Sequence, residues 1–474
     1  MPQLAGREPG LRPRYGTMAD VTRVAILGSG PGGYEAALVA AQLGAEVTLV
    51  DRDGVGGSAV LTDCVPSKTL IATAEVLTDT AESGELGVVL GGAVGVELAR
   101  VNRRVLALAK AQSADTAAAV EKAGVRIVRG SGRLAPGDRV VVDDGAHELV
   151  ADVALLATGA RPRILPEAEP DGERILTWEQ VYDLTEAPER LVVVGSGVTG
   201  AEFASAYNAL GCDVTLVSSR DRVLPGEDAD AAYVLEEVFA RRGLKVLSRS
   251  RAASVRRDGD GVVVTLTDGR AVRGSHCLMA VGSVPNIEDL GLEECGIALD
   301  GRGFVKVDRV SRTSARGVYA AGDVTGVNML ASVAAMQGRT AMWHALGDAV
   351  TPLDLKAVAA NVFTAPEIAT VGWSQAAVDA GEIDAVAVKL PLATNARAKM
   401  QGIRDGFVKL FCRRGTGIIV GGVVVAPKAS ELIHPISVAV EASLTVDQMA
   451  RAFTVYPSLS GSVAEAARRL HLRG

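Results

Sequence analysis

Two copies of one pattern restrict the fold of this 474-residue chain more than any other feature: strand, glycine turn, helix, strand. The first copy reads Val24-Ala25-Ile26-Leu27, then Gly28-Ser29-Gly30-Pro31-Gly32-Gly33, a helical stretch from Tyr34 to Leu43, and Val47-Thr48-Leu49-Val50 ending in Asp51. Short apolar runs around a glycine turn and a helix describe parallel strands joined by a crossover. The glycines let backbone approach a pyrophosphate, the helix N-terminus supplies N–H groups and positive dipole, and the terminal acid hydrogen-bonds a ribose. The second copy runs from Leu191-Val192-Val193-Val194 through Gly195-Ser196-Gly197-Val198-Thr199-Gly200 and a helix, Ala201 to Leu210, to Val214-Thr215-Leu216-Val217. Two such units predict two bound dinucleotides, with FAD and a nicotinamide cofactor as the expected pair.

The copies differ at their ends. Asp51 closes the first, whereas Ser218 closes the second and Ser219-Arg220-Asp221-Arg222 follows. A carboxylate there favours a free 2′-hydroxyl and repels a 2′-phosphate, while an arginine pairs with that phosphate. Arg220 and Arg222 therefore lean the second unit toward NADPH, and Ser218 leaves NADH use open. Solvated surface charge is the competing reading of both arginines.

Composition narrows the partners. A net charge of −7 with no basic run argues against nucleic acid. No apolar run reaches the roughly 20 residues of a spanning helix. The polar start, Met1 to Gly16, lacks the apolar centre of a secretion signal. Residues 1–19 are expected to be a flexible extension, with Met18 as an alternative start. Five scattered cysteines, Cys64, Cys212, Cys277, Cys295 and Cys412, have no metal-ligand spacing and suit a reducing cytoplasm.

Further stretches carry a resemblance. Gly56-Gly57-Ser58-Ala59-Val60-Leu61-Thr62-Asp63-Cys64-Val65-Pro66-Ser67-Lys68 resembles the active-site segment of the flavoprotein disulfide reductases. Leu155-Leu156-Ala157-Thr158-Gly159-Ala160-Arg161-Pro162 and Thr313 through Asp323 resemble that family's two later flavin motifs, and Gly130-Ser131-Gly132 its adenosine contact. Val362 through Glu367, with Val371-Gly372, is similar to the start of its C-terminal dimerisation domain. The resemblance implies an α/β fold with two Rossmann-like dinucleotide-binding domains and an α/β C-terminal domain. It divides the chain into FAD-binding segments 20–160 and 283–353, an NAD(P)-binding domain 161–282 and a dimerisation domain 354–474. It implies a homodimer, because one subunit's C-terminal domain completes the other's active site. Contacts to FAD are implied for Gly28, Ser29, Gly30, Gly33, Asp51, Arg52, Gly57, Ser58, Lys68, Gly132, Thr158, Gly159, Asp323 and Ala331. Contacts to the nicotinamide nucleotide are implied for Gly195, Ser196, Gly197, Val198, Arg220, Arg222, Ala252 and Gly282.

The departures from the family pattern are coordinated. Its members place two cysteines with four residues between them, and here the first has become Ala59 while Cys64 remains. Its C-terminal His-Pro-x-x-x-Glu stretch corresponds to Tyr456-Pro457-Ser458-Leu459-Ser460-Gly461, so the base is now Tyr456 and its orienting acid Gly461. A dithiol relay needs a thiolate and a neighbouring sulfur to attack. Neither relay nor base survives, whereas Lys68 and Glu202, which in relatives pair beside the flavin, do.

A hydride passes from NAD(P)H to FAD without cysteine or histidine, after which the reduced flavin needs an acceptor that reaches it directly. The expected activity is an FAD-dependent NAD(P)H:quinone oxidoreductase, similar to the lipoamide-dehydrogenase-like quinone reductases lacking the cysteine pair. Lys68, Glu202, Cys64 and Tyr456 are its candidate catalytic residues. A soluble transhydrogenase between NADPH and NAD⁺ and a non-catalytic partner-binding subunit are the alternatives.

Overall fold

Each apolar run flanking a glycine turn becomes a buried parallel strand. The computed structural model describes residues 21–92 and 94–471; the expected extension over 1–19 and both candidate starts, Met1 and Met18, lie outside them. Strand β1 (Arg23–Leu27), helix α1 (Pro31–Gln42) and strand β2 (Glu46–Asp51) form the first crossover unit. Helices α2 (Cys64–Glu82) and α3 (Leu98–Lys122) follow, then β3 (Arg126–Arg129) and β4 (Val153–Leu156). Strand β1 lies between β2 and β4, with Val24 beside both Val47 and Val153. Ile26, Leu49 and Leu155 are fully buried, as in a parallel sheet covered on both faces.

The chain then leaves this sheet and builds a second on the same plan. Its elements are β5 (Ile175–Leu176), β6 (Arg190–Val194), α4 (Val198–Ala209), β7 (Asp213–Val217), α5 (Ala229–Arg241), β8 (Lys245–Leu247) and β9 (His276–Met279). The order is β8-β7-β6-β9-β5. Strand β10 (Val318–Ala320) returns beside β4, giving the first sheet the order β10-β4-β1-β2-β3. Outgoing Ala160–Pro162 and incoming Ser283–Pro285 pair antiparallel where the chain crosses. Helix α6 (Ala331–Ala345) then packs on α1 so closely that a side chain at Gly338 would run into the Gly32 carbonyl.

The third unit is an antiparallel sheet of β11 (Ala359–Val362), β12 (Glu367–Gly372), β13 (Ala385–Pro391), β14 (Phe407–Arg413) and β15 (Ile419–Ala426), in the order β11-β12-β15-β14-β13. Helices α7 (Val446–Arg451) and α8 (Gly461–His471) follow. Val463, Ala466, Ala467 and Leu470 recur at helical spacing and share a buried cluster with Val408 and Leu410 of β14. This is the α/β architecture the sequence predicts. No helix among the described residues is long and apolar enough to cross a membrane.

A buried cation joins the second and third units. Lys409 of β14 is 3% exposed, and its Nζ donates to both Asp228 oxygens at 2.9 and 2.7 Å and lies 2.7 Å from Asp230 Oδ2. Asp228 also caps α5, accepting from the Asp230 and Ala231 N–H groups. Removing one partner of a buried pair leaves an uncompensated charge, which costs about 3–5 kcal/mol. Lys409→Met should therefore destabilise the protein by about that amount in denaturant unfolding. Adding Asp228→Asn, which keeps a capping oxygen, should recover part of the loss; additive losses would show that the two residues are not coupled.

Candidate functional site

The two glycine turns are superimposable in their constraints. Gly28 has φ 96° and Gly195 φ 113°, a left-handed region that glycine enters freely. A side chain at Gly28 would collide with the Ala157 carbonyl, and one at Gly195 with the Ala280 carbonyl. Gly33 and Gly200 close each turn by resting on the carbonyls of Gly28 and Gly195. Gly30 and Gly197 differ from these. Both are extended at ordinary negative φ, and a Cβ at either meets nothing within 4 Å. Neither backbone strain nor protein packing calls for glycine there, and the open space leaves room for close approach of a ligand. Helices α1 and α4 begin at these residues without a side-chain cap or an acid in the first turn, so their N–H groups remain for an anion. The first turn thus fits the pyrophosphate of FAD and the second that of a nicotinamide nucleotide.

Asp51 binds its own loops: Oδ2 accepts from the Ser29 N–H and hydroxyl at 2.9 and 2.6 Å, and Oδ1 from the Asp53 and Gly54 N–H groups at 2.8 and 2.6 Å. Its first task is thus to join the glycine turn to the loop after β2, and any ribose contact is additional. Arg52 is exposed and turns to Asp53 at 3.0 Å. Gly57 meets Gly30 so closely that a Cβ would lie 2.8 Å from its Cα, and Ser58 follows it in a short helix. Gly132 leaves room for Leu27 and Val50. At the chain crossing, Thr158 donates to the Asn286 carbonyl at 2.8 Å and Asn286 to the Thr158 carbonyl at 2.9 Å, with Gly159 beside them at φ 70°. Asp323 lies in the turn before α6, which Ala331 opens.

Helix α2 carries two of the candidate catalytic residues. Cys64 is its first residue, and Lys68 lies one turn later. Lys68 Nζ donates to Glu202 Oε2 of α4 at 2.7 Å, and Glu202 is 3% exposed. Burial alone would depress the lysine, but the Glu202 carboxylate and its hydrogen bond outweigh it, so the net shift is upward. Phe363 joins this pair: its N–H donates to Glu202 Oε1 at 2.8 Å and its ring centroid lies 5.0 Å from Lys68 Nζ. It lies just past β11, and no local pattern announces it.

Burial, reinforced by the neighbouring Asp63 charge, pushes the Cys64 thiol up to about 12, against the opposing pull of Lys68. All five cysteines are free. No local pattern announces Asp63 either, although it adjoins Cys64. Burial raises its carboxyl despite Lys68, and burial together with Asp63 lifts Asp323 to about 6.

The second turn is bound by hydroxyls. Ser218 Oγ lies 2.7 Å from Ser196 Oγ and accepts from the Arg220 N–H at 3.1 Å, so it joins two loops as Asp51 does. Arg220 is exposed. Arg222, paired with Arg220 in the sequence reading, is drawn back: its guanidinium donates to the Pro225 and Glu227 carbonyls at 3.3 and 3.4 Å. Its geometry suits bracing the loop rather than meeting a phosphate. Val198 opens α4, Ala252 begins a strand of a small antiparallel sheet, and Gly282 stands at φ 92° before the chain crossing.

Tyr456 is not brought to this site within one chain. It lies between α7 and α8 and is 84% exposed, next to Phe453 and Val455, which are equally bare.

Residues 22–338 match the family described as pyridine nucleotide-disulphide oxidoreductase, and residues 358–467 its dimerisation domain. The chain is 58% identical over 463 residues to an NAD(P)H dehydrogenase (quinone) of Mycobacterium tuberculosis H37Rv, covering 95% of this chain and 94% of that one. It is 33% identical over 458 residues to the dihydrolipoyl dehydrogenase of Geobacillus stearothermophilus, covering 95% and 97%. The crystal structure of LpdA from Mycobacterium tuberculosis matches with a TM-score of 0.91 and 57% identity, over 95% of this chain and all of that one.

Two measurements check this site. Gly30→Ala adds a Cβ that meets no protein atom within 4 Å at a permitted φ, so the chain should fold, by circular dichroism and thermal unfolding, yet lose most of its flavin absorbance. Full flavin retention would remove the pyrophosphate from this turn. Because the Cys64 thiol is raised to about 12, it is almost entirely protonated near neutral pH. Its alkylation by iodoacetamide at pH 8 should be about a thousandfold slower than that of an ordinary cysteine and should rise with each pH unit to beyond pH 11. A rate that levels off near pH 8 would mean the thiolate forms there.

Proposed function

The chain belongs to the pyridine nucleotide-disulphide oxidoreductase family, and we propose that within it this protein is an FAD-dependent NAD(P)H:quinone oxidoreductase without a disulfide relay. The observation that carries this reading is the pairing of a complete Lys68–Glu202 contact with a lone, free Cys64 whose expected sulfur partner is replaced by Ala59. When bound, FAD supplies the two-electron chemistry linking a nicotinamide donor to a quinone acceptor.

The side chains around that group hold fixed charge and exclude sulfur chemistry. Lys68 is kept protonated by Glu202, and Glu202 is held in place by the Phe363 N–H. A protonated thiol is a poor nucleophile, and the methyl of Ala59 offers no sulfur for it to exchange with. A flat quinone needs neither. Arg220 supports binding of the 2′-phosphate of NADPH, while Ser218 in place of an acid admits NADH as well.

The protein acts as a homodimer. Phe453, Val455 and Tyr456 form an exposed apolar segment within the matched dimerisation domain, which a second copy would cover. Tyr456 of each subunit then serves the partner's site, where its hydroxyl is suited to hydrogen-bond an acceptor carbonyl rather than to act as a base. Five free cysteines accord with a reducing, cytoplasmic setting.

Steady-state turnover of a naphthoquinone with NADPH, set against lipoamide and oxidised glutathione, tests the reading. Quinone turnover should dominate and persist within about twofold in Cys64→Ser, since the neutral thiol carries no electrons. Efficient disulfide reduction without quinone turnover would overturn it.

A further inference from the structure

The end of β8 brings a second arginine to the nucleotide-specificity loop. Beyond the ladder of β7 and β8, the Ser218 N–H donates to the Leu247 carbonyl at 2.9 Å, and the Ser250 N–H to the Ser218 carbonyl at 2.7 Å. The Arg249 N–H donates to the Arg220 carbonyl at 2.8 Å. Arg220 and Arg249 are therefore hydrogen-bonded neighbours in the backbone, although 29 positions separate them in sequence. Both lie at the C-terminal edge of the second parallel sheet, where a unit of this kind seats the ribose of its nucleotide.

Two details mark Arg249 as more than a passing surface charge. Its φ is 51°, a conformation uncommon for any residue but glycine, asparagine or aspartate, which the flanking backbone bonds sustain. Its Nε lies 2.7 Å from Oδ1 of Asp221, the residue following Arg220, with both side chains almost fully exposed at 79% and 77%. An ion pair so wet contributes little and exchanges readily. A 2′-phosphate carries more charge than a carboxylate and accepts two parallel bonds from a guanidinium.

The charged residues of the two segments that meet here are Arg220, Asp221 and Arg222 after β7 and Arg249 and Arg251 after β8. Arg270 is held by Asp268 and Ser250, and Arg222 is turned to its own loop.

We propose that Arg249 is a second arm for the 2′-phosphate of NADPH, closing opposite Arg220, and that Asp221 is the internal anion that occupies Arg249 when the nucleotide has no 2′-phosphate. The inference rests on the NADPH reading above and sharpens it. Asp221 keeps the site electrostatically satisfied with NADH and yields Arg249 to NADPH. Dual use thereby follows from a competition inside the loop.

Calorimetric titration of the FAD-loaded protein with 2′,5′-ADP and with 5′-ADP tests this without turnover. Arg249→Asn, chosen because asparagine tolerates the left-handed backbone, should weaken 2′,5′-ADP about three- to tenfold and leave 5′-ADP unchanged. Asp221→Asn should tighten 2′,5′-ADP about two- to threefold, since the internal competitor is gone. If Arg249→Asn leaves 2′,5′-ADP unchanged while Arg220→Ala weakens it, the second arm is refuted and the NADPH reading stands. If Arg220→Ala also has no effect, the 2′-phosphate reading itself falls. Equal weakening of both nucleotides by Arg249→Asn, or weaker 2′,5′-ADP binding in Asp221→Asn, would overturn the proposal as well.

Discussion

One carboxylate holds three parts of this protein together. Glu202, on the helix of the second dinucleotide unit, gives one oxygen to Lys68 of the first unit and the other to the Phe363 N–H at the entry to the C-terminal domain. At 3% exposure such a group persists only because both oxygens are satisfied. Adjacent contacts reinforce it: the Ala365 N–H donates to Ser205 of the same helix at 3.1 Å, and Arg242 donates to the Ala365 carbonyl at 2.8 Å. The charge on Lys68 is thus a property of how the three units dock.

The two dinucleotide units show how far one backbone solution can be reused. Gly28 and Gly195, Gly33 and Gly200, and Gly30 and Gly197 repeat the same collisions and the same opening. Below the turn each unit joins its two loops with a side chain at the end of its second strand, a carboxylate at Asp51 and a hydroxyl at Ser218. That single replacement leaves the fold intact and alters the charge met by a ribose. The Lys409–Asp228 contact fixes the far end of the loop that begins at Ser218, so the C-terminal sheet also restrains the nucleotide-specificity segment.

The active-site helix shows what loss of a sulfur does in physical terms. With Ala59 in place of the first cysteine, Cys64 has no sulfur to pair with and remains a half-buried thiol, held protonated by desolvation and by the neighbouring Asp63 charge. The same burial that silences the thiol raises the Asp63 and Asp323 carboxyls. Lys68 keeps its charge beside them, held by the Glu202 carboxylate.

Much of this was legible along the chain, because glycine turns, apolar strand runs and a missing cysteine are local statements. The parallel sheets, the duplicated dinucleotide units and the loss of the thiol relay all follow from residues within a few positions of one another. Other features join residues far apart. Phe363 reaches Glu202 across 161 positions, and Arg249 reaches Arg220 only because β8 extends past its ladder. Arg222 reads as a phosphate ligand in sequence but is drawn to its own loop carbonyls in the fold. Tyr456 reads as part of the site but stands exposed in a single chain. Sequence thus determined which chemistry was lost and which nucleotides the chain is built to hold. Tertiary structure alone decided which side chains face them, because burial, charge neutralisation and hydrogen-bond satisfaction arise only when distant strands and helices are brought together.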